Sequence, residues 1–365
     1  MSDVVIAERI GTVGYITLNR PKALNALNLE MVRTLTRTLL AWKGDPAVHA
    51  VAIRGTHKAG NFGGFCAGGD IRFFHQAALA GNPELDDFFT EEYVLNHLIY
   101  TYPKPYIAFM DGIVMGGGMG ISQGASHRLV TSNTKMAMPE TGIGLFPDVG
   151  GGYFLSRCPG STGEWLALTG EVIGGTHAVA LRLADAVVDA ARLQDAWAAL
   201  ASVDYTASNA LADWLATFSI AGDTYPAGAR GQIDTYFCLE SVPAIVAALE
   251  ASGDAWCVQT AATLRKRSPL MLLVVLEQVR RAREMTLADD LRMERDLVRH
   301  CFFTAHLGRS GVSSETVEGI RALAVDKDHT PQWNPTRIED VHADMVAPFF
   351  ISPWPAHAHP LVGLS

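Results

Sequence analysis

Tyr106–Gly120 reads YIAFMDGIVMGGGMG. Tyr106 to Met110 is a short apolar run entered through Pro103 and Pro105, and its length and flanks predict a buried strand. Gly112 to Gly120 then predicts a glycine-rich turn leading into a helix. Strand, tight turn and helix in direct succession point to α/β architecture, in which short connections stack helices on a largely parallel sheet.

The same rhythm extends in both directions. Upstream, Ala50 to Arg54 predicts a strand followed by a glycine-rich loop from Gly55 to Gly69. Helices are then expected from Asp70 and from about Glu84 to Tyr102. Val4 to Glu8 and Tyr15 to Leu18 alternate as a strand pair, with Gly11 and Gly14 marking the turn. Asn28 is placed to cap a helix from Leu29 to about Trp42, which Gly44-Asp45-Pro46 stops. Downstream, Arg128 to Thr131 and Lys135 to Met138 predict short strands. Beyond about Leu181 strand signals thin, and Pro243 to Leu249, Asp254 to Lys266 and Pro269 to Arg283 carry helical period.

Between these halves lies Ala137–Tyr153, AMPETGIGLFPDVGGGY. Glu140 and Asp148 stand there among Met136, Met138, Ile143, Leu145, Phe146 and Val149. Carboxylates in such company are costly to bury unless something binds or uses them, so this is where chemistry is expected. The two earlier glycine turns, Phe65-Cys66-Ala67-Gly68-Gly69-Asp70 and Met115-Gly116-Gly117-Gly118, each lead towards a helix and leave backbone N–H groups without internal partners. Two such donors suit a carbonyl oxygen that becomes an oxyanion. Taken singly, either turn is equally read as a tight turn that glycine permits.

Composition narrows the classes. The 365 residues carry a net charge of -9, 48% hydrophobic and 18% charged residues, the pattern of a soluble globular chain without a basic stripe for nucleic acid or a membrane span. Arg265-Lys266-Arg267, with Arg280, Arg281 and Arg283, reads as the solvated face of helices, and Leu270 to Leu276 as core helix. Five cysteines form no CxxC pair and 12 histidines show no ligand spacing, so neither a disulfide framework nor a metal centre is expected. A reducing compartment follows. The N-terminus lacks signal or transit character, which makes the cytoplasm the expected location.

Asn19-Arg20-Pro21-Lys22-Ala23-Leu24-Asn25-Ala26-Leu27 and the two glycine turns resemble segments of the crotonase (enoyl-CoA hydratase/isomerase) superfamily, and the resemblance covers nearly the whole chain. It implies a crotonase-type ββα spiral, with a catalytic core over residues 1–225 and a helical C-terminal region, 226–365, packed on it. By position, the oxyanion-hole donors of that superfamily fall on the N–H groups of Gly69 and Gly117, with CoA along the Phe65 to Asp70 loop, touching Gly68, Asp70 and Gly116. Glu91-Glu92-Tyr93, MPETGIGLFPDVGGGYFL, Ala324-Val325-Asp326-Lys327-Asp328 and Trp333-Asn334-Pro335 resemble its branch of 3-hydroxyacyl-CoA thioester hydrolases. On that branch the catalytic carboxylates fall on Glu140 and Asp148, and Glu92 contacts the acyl hydroxyl. The resemblance implies hydrolysis of 3-hydroxyisobutyryl-CoA in valine breakdown, with an acyl-CoA as partner, CoA as part of the substrate, and no further cofactor. A homo-oligomer is left open.

Readings of three other kinds compete: a hydratase or isomerase, a serine or cysteine nucleophile, and a non-catalytic module. Hydratases of the superfamily place a carboxylate where Gly120 stands, so an enoyl-CoA hydratase or isomerase is the runner-up. Gly120-Ile121-Ser122-Gln123-Gly124 matches the G-x-S-x-G nucleophile elbow, but Ser122 falls inside the expected helix instead of on the turn. Cys66 beside a helix start is a nucleophile or, more ordinarily, a small buried residue. A non-catalytic acyl-CoA-binding module is the third alternative, and it has no need of two acids.

Overall fold

The apolar runs pair in an order that follows the chain. In the computed structural model, β1 (Val5–Ile10) lies antiparallel to β2 (Val13–Leu18), and β2, β3 (Ala50–Gly55) and β4 (Tyr106–Met110) are parallel neighbours. Of the later strands, β5 (Ile113–Met115) forms a small second sheet, while β6 (His127–Val130) extends the first beside β4. β7 (Lys135–Ala137) and β8 (Ile173–Gly174) join β5; β9 (Ala186–Val188) and β10 (Ser219–Ile220) complete the seven-stranded sheet. β2, β3 and β4 are buried along their whole lengths, which is why their sequences are continuous apolar runs instead of alternating ones.

Residues 4–222 and 227–365 are described. They form two compact units, one of residues 4–69, 95–137 and 172–222, the other of residues 70–94, 138–171 and 227–365. The boundary expected at 225/226 lies outside the described residues. Residues 70–94 and 138–171 share a unit with the C-terminal helices.

In the first unit, α1 (Leu29–Gly44) starts where its cap predicts: the Asn28 side chain accepts a hydrogen bond from Met31 N at 2.9 Å. Gly11 turns the β1–β2 hairpin at φ 60°. Gly14 does not belong to that turn. It lies within β2, and a Cβ there would sit 2.4 Å from the Trp42 ring, so glycine is required by close packing of α1 on the sheet.

The second unit contains α2 (Ile71–Ala80), capped by Asp70, and the first turns of α3 (Glu84–Tyr100). Leu270, Met271, Leu272, Val274, Val275 and Leu276 are buried on the helix Pro269–Ala282, the expected core helix. The arginines read as a solvated face do more. Arg267 is half-buried and donates from Nε to the Thr169 carbonyl at 3.0 Å, Arg280 donates to the Glu240 carbonyl at 2.7 Å, and Arg283 pairs with the buried Glu164. Their guanidinium groups satisfy carbonyls and a carboxylate of neighbouring segments, which helical period alone does not reveal.

Candidate active site

The two glycine turns meet within the first unit. Asn25, fully buried, donates from its side-chain amide to the carbonyls of Thr56, Gly64 and Phe65 at 2.8, 2.8 and 3.1 Å and accepts from Arg20 N. The Asn19–Leu27 segment thereby pins the loop that ends at Gly69. Leu27 N donates to Gly68 O, Cys66 N to Ile113 O, and Met115 N to Cys66 O, so the first loop runs beside β5 as a short parallel bridge. Gly68 adopts φ 109°, and its missing Cβ would sit 3.8 Å from Gly117 N. Gly116 precedes α4 (Gly117–Gln123) at φ 48°, and a Cβ on Gly118 would lie 2.3 Å from Cys66 O. These glycines are required because two backbones approach without room for a side chain. Among the described residues no acceptor pairs with the amide of Gly69 or of Gly117.

The acids gather in the second unit. Glu140 opens a 3-10 turn, Glu140–Ile143, that Thr141 ties down by donating to Leu168 O and accepting from Ser268 N. Gly144 closes the turn at φ 67°, and Thr316 donates to its carbonyl at 2.6 Å. The Glu140 side chain is only 6% exposed, and its Oε2 has no hydrogen-bond partner. Burial, then the charge of Asp148, raise its pKa well above the ordinary carboxylate range.

Asp148 accepts from the Tyr93 hydroxyl at 3.0 Å. Burial raises its pKa to about 7, and the Tyr93 hydrogen bond holds it from rising further. Glu92, one residue before Tyr93 on α3, is 2% exposed; its Oε1 has no partner, and burial followed by the Asp148 charge raises its pKa strongly. Three carboxyl groups therefore share one electrostatic neighbourhood, in which adding a second negative charge is opposed by the first. Asp70 is the N-cap of α2, accepting from Phe73 N at 3.5 Å.

The turn that carries Asp148 is itself unusual. Val149 has φ 57°, a left-handed conformation that costs a β-branched residue about 1–3 kcal/mol. Gly150 follows at φ 87°. The fully buried Glu294, on the helix Leu287–Phe302, accepts from Gly150 N at 2.7 Å and Gly152 N at 2.9 Å. Asp290, one turn earlier, accepts from Tyr153 N at 3.0 Å. Burial raises its pKa to about 7. Sequence reading missed Tyr93 as a partner of Asp148, and Asp290 and Glu294 altogether. The signal available was two acids four residues apart on the core-facing stripe of a helix, Asp290 and Glu294, where carboxylates are rarely found without partners.

Neither competing nucleophile is free. The Ser122 hydroxyl, fully buried in α4, donates to Gly118 O at 2.8 Å, the back-bond of a helical serine and not an exposed elbow. Cys66 is fully buried, with its thiol against Asn25 O at 3.2 Å.

Residues 13–350 match the model of the enoyl-CoA hydratase/isomerase family. The mitochondrial 3-hydroxyisobutyryl-CoA hydrolase of Xenopus tropicalis is 39% identical over 352 residues, 94% of this chain and 88% of the relative. 3-hydroxyisobutyryl-CoA hydrolase 1 of Arabidopsis thaliana is 37% identical over 95% of this chain and 91% of its own length. Among solved structures, a carnitinyl-CoA dehydratase from Mycobacterium thermoresistibile superposes with a TM-score of 0.88 at 37% identity, covering 100% of both chains. An enoyl-CoA hydratase from Rhodobacter sphaeroides gives 0.84 at 33% identity, over 96% of this chain and 98% of the other. The crotonase fold with a helical C-terminal region is thus the fold of this chain. The cytoplasmic expectation is overturned by the relatives from Xenopus tropicalis and Danio rerio, which are named mitochondrial. Free thiols call only for reducing surroundings, which are not peculiar to the cytoplasm, so cysteine usage had no power to choose. The chain belongs to the enoyl-CoA hydratase/isomerase family and, within it, to the group of 3-hydroxyisobutyryl-CoA hydrolases.

Proposed function

We infer that this chain hydrolyses a 3-hydroxyacyl-CoA thioester, with 3-hydroxyisobutyryl-CoA as substrate, releasing the free hydroxy acid and CoA as a step of valine breakdown. The carrying observation is Glu140, a buried carboxyl group with a partnerless oxygen, beside an Asp148 that Tyr93 holds. The names of the relatives supply the substrate class.

In this reading the amides of Gly69 and Gly117 donate to the thioester oxygen as it becomes an oxyanion. The loop of Gly68 and Asp70, with Gly116, receives CoA. Glu140 takes a proton from water as that water adds to the carbonyl carbon, or adds itself to give a mixed anhydride that water then opens. On either route the carbon–sulfur bond breaks, the thiolate gains a proton, and no cofactor besides the CoA of the substrate takes part. Desolvation makes the Glu140 carboxylate a stronger base, and Asp148 orients water and sets the charge state of Glu140. Glu92 accepts a hydrogen bond from the acyl 3-hydroxyl, so thioesters lacking that hydroxyl leave a buried carboxyl unpaired and react poorly.

The test is thiol release from 3-hydroxyisobutyryl, 3-hydroxypropionyl, acetyl and crotonyl thioesters by wild type and Glu140→Gln. The hydroxylated substrates should lead, and the variant should lose at least about 10³-fold in kcat while KM stays within a few-fold. Because the ionised form of Glu140 is required and its pKa is raised, kcat should climb with pH above the ordinary carboxylate range. The likeness to a carnitinyl-CoA dehydratase and an enoyl-CoA hydratase favours a hydratase as second reading. Against it, Gly120 is buried in α4 and brings no carboxylate. Loss of crotonyl-CoA absorbance without thiol release would establish the hydratase and end the hydrolase proposal.

A further inference from the structure

Asp148 sits on a turn that cannot hold itself. Val149 and Gly150 are both left-handed, and the Asp148 carbonyl is already engaged by Gly151 N at 2.8 Å. Glu294 supplies what the turn lacks: its two oxygens take the amides of Gly150 and Gly152, one each. Gln278, also fully buried, donates from Nε2 to Pro147 O at 2.6 Å and to Glu294 Oε1 at 3.1 Å, fixing the residue before Asp148 and the clasp after it with one amide. The glycines make the approach possible. A Cβ on Gly152 would lie 2.4 Å from Asp290 Oδ1, and one on Gly150 would lie 2.9 Å from Leu287 Cδ1.

We propose that Glu294 is a positioning residue for the hydrolysis: its buried carboxyl group, held by three N–H donors, fixes the left-handed turn that aims Asp148. This rests on the catalytic role proposed above for Asp148. Burial, followed by the charge of Asp290, raises the pKa of Glu294 well above the ordinary carboxylate range, and the amides of Gly150 and Gly152 act against that rise. The charge of Asp148 also acts to raise that pKa. Asp148 is faced as well by Tyr93, which donates to it, and by Glu92 and Glu140, whose carboxyl groups feel its charge.

Glu294→Gln keeps the shape and sets an N–H₂ against a backbone N–H, which pushes the turn away from its place. Steady-state kinetics should show kcat down by about 10²-fold with KM within about twofold, because a displaced Asp148 affects the reacting geometry more than CoA binding. The limb of the kcat–pH profile that disappears in Asp148→Asn should move to higher pH, since an Asp148 displaced from the Tyr93 hydroxyl loses a hydrogen bond that lowers its pKa. In the Asp148→Asn background the same change should cost less than about threefold, as expected of a residue that acts through Asp148. If Glu294→Gln does not fold, Gln278→Met, which strips one donor from Glu294, should move the same limb in the same direction by a smaller step. Equal losses with and without Asp148, or a wild-type profile in a folded variant, would overturn the proposal. Turnover retained in Glu140→Gln would instead overturn the hydrolase mechanism itself, whatever Glu294 does.

Discussion

Replacing Asp290 with asparagine should stabilise the protein in alkaline solution and do much less in acid. Asp290 is fully buried, accepts from Tyr153 N through one oxygen, and has no donor for the other, Oδ1, while its neighbour Glu294 is a carboxylate already occupied by amides. Burial raises its pKa from 3.8 to about 7, against the lowering influence of hydrogen bonds from Glu294 and the Tyr153 amide. A carboxyl raised in the folded state keeps its proton there while the unfolded chain has lost it, so stability is greatest below pH 4 and falls as pH rises to about 7. The folded state thereby loses about 2 kcal/mol of stability by pH 5 and about 4 kcal/mol by pH 8, at about 1.4 kcal/mol per pH unit between the two pKa values. Asparagine keeps the acceptor for Tyr153 N, offers N–H₂ towards Glu294 and does not titrate. Urea unfolding of wild type and Asp290→Asn at both pH values should therefore give a stability difference about 2–3 kcal/mol more favourable to the variant at pH 8 than at pH 5. The other buried acids titrate in both proteins and largely cancel, and relief of Glu294 acts in the same direction. A difference that does not change with pH would refute the reading that burial keeps a proton on Asp290 in the folded state.

Tyr93→Phe removes the hydroxyl 3.0 Å from Asp148 and little volume. Asp148 then loses the donor that holds its pKa down, so the kinetic limb belonging to Asp148 should move to higher pH, and kcat at neutral pH should fall by about 10-fold; an unmoved profile would show that the tyrosine plays no part. Gly118→Ala places a Cβ 2.3 Å from Cys66 O and forces the two glycine turns apart by about 1 Å. Turnover should drop by about 10²-fold for a stability loss of about 1–3 kcal/mol, whereas a fully active variant would argue against an oxyanion role for these amides.

Much of the fold was legible because its signals are local. The β4 run Tyr106–Met110 is apolar throughout and ends where a strand was expected, Asn28 caps the helix it was expected to cap, and the helix expected from Asp70 starts there, with Asp70 as its cap. Gly14 shows the limit: a glycine near a turn looks like turn chemistry, but a tryptophan ring from a helix 28 residues further on explains it. β5 was absorbed into the glycine-rich turn because a three-residue strand has no periodicity to detect.

The order of strands, the glycine turns and the apolar setting of Glu140 and Asp148 are matters of spacing, composition and motif, and the sequence alone determined them. Which groups hold those acids is a matter of distances in space. Tyr93 reaches Asp148 across 55 residues, and Glu294 reaches Gly150 across 144. No local pattern records such a pairing. The free energy of a buried charge depends on what surrounds it in three dimensions, so the charge states of Asp148, Asp290 and Glu294 were decided only when the chain had folded.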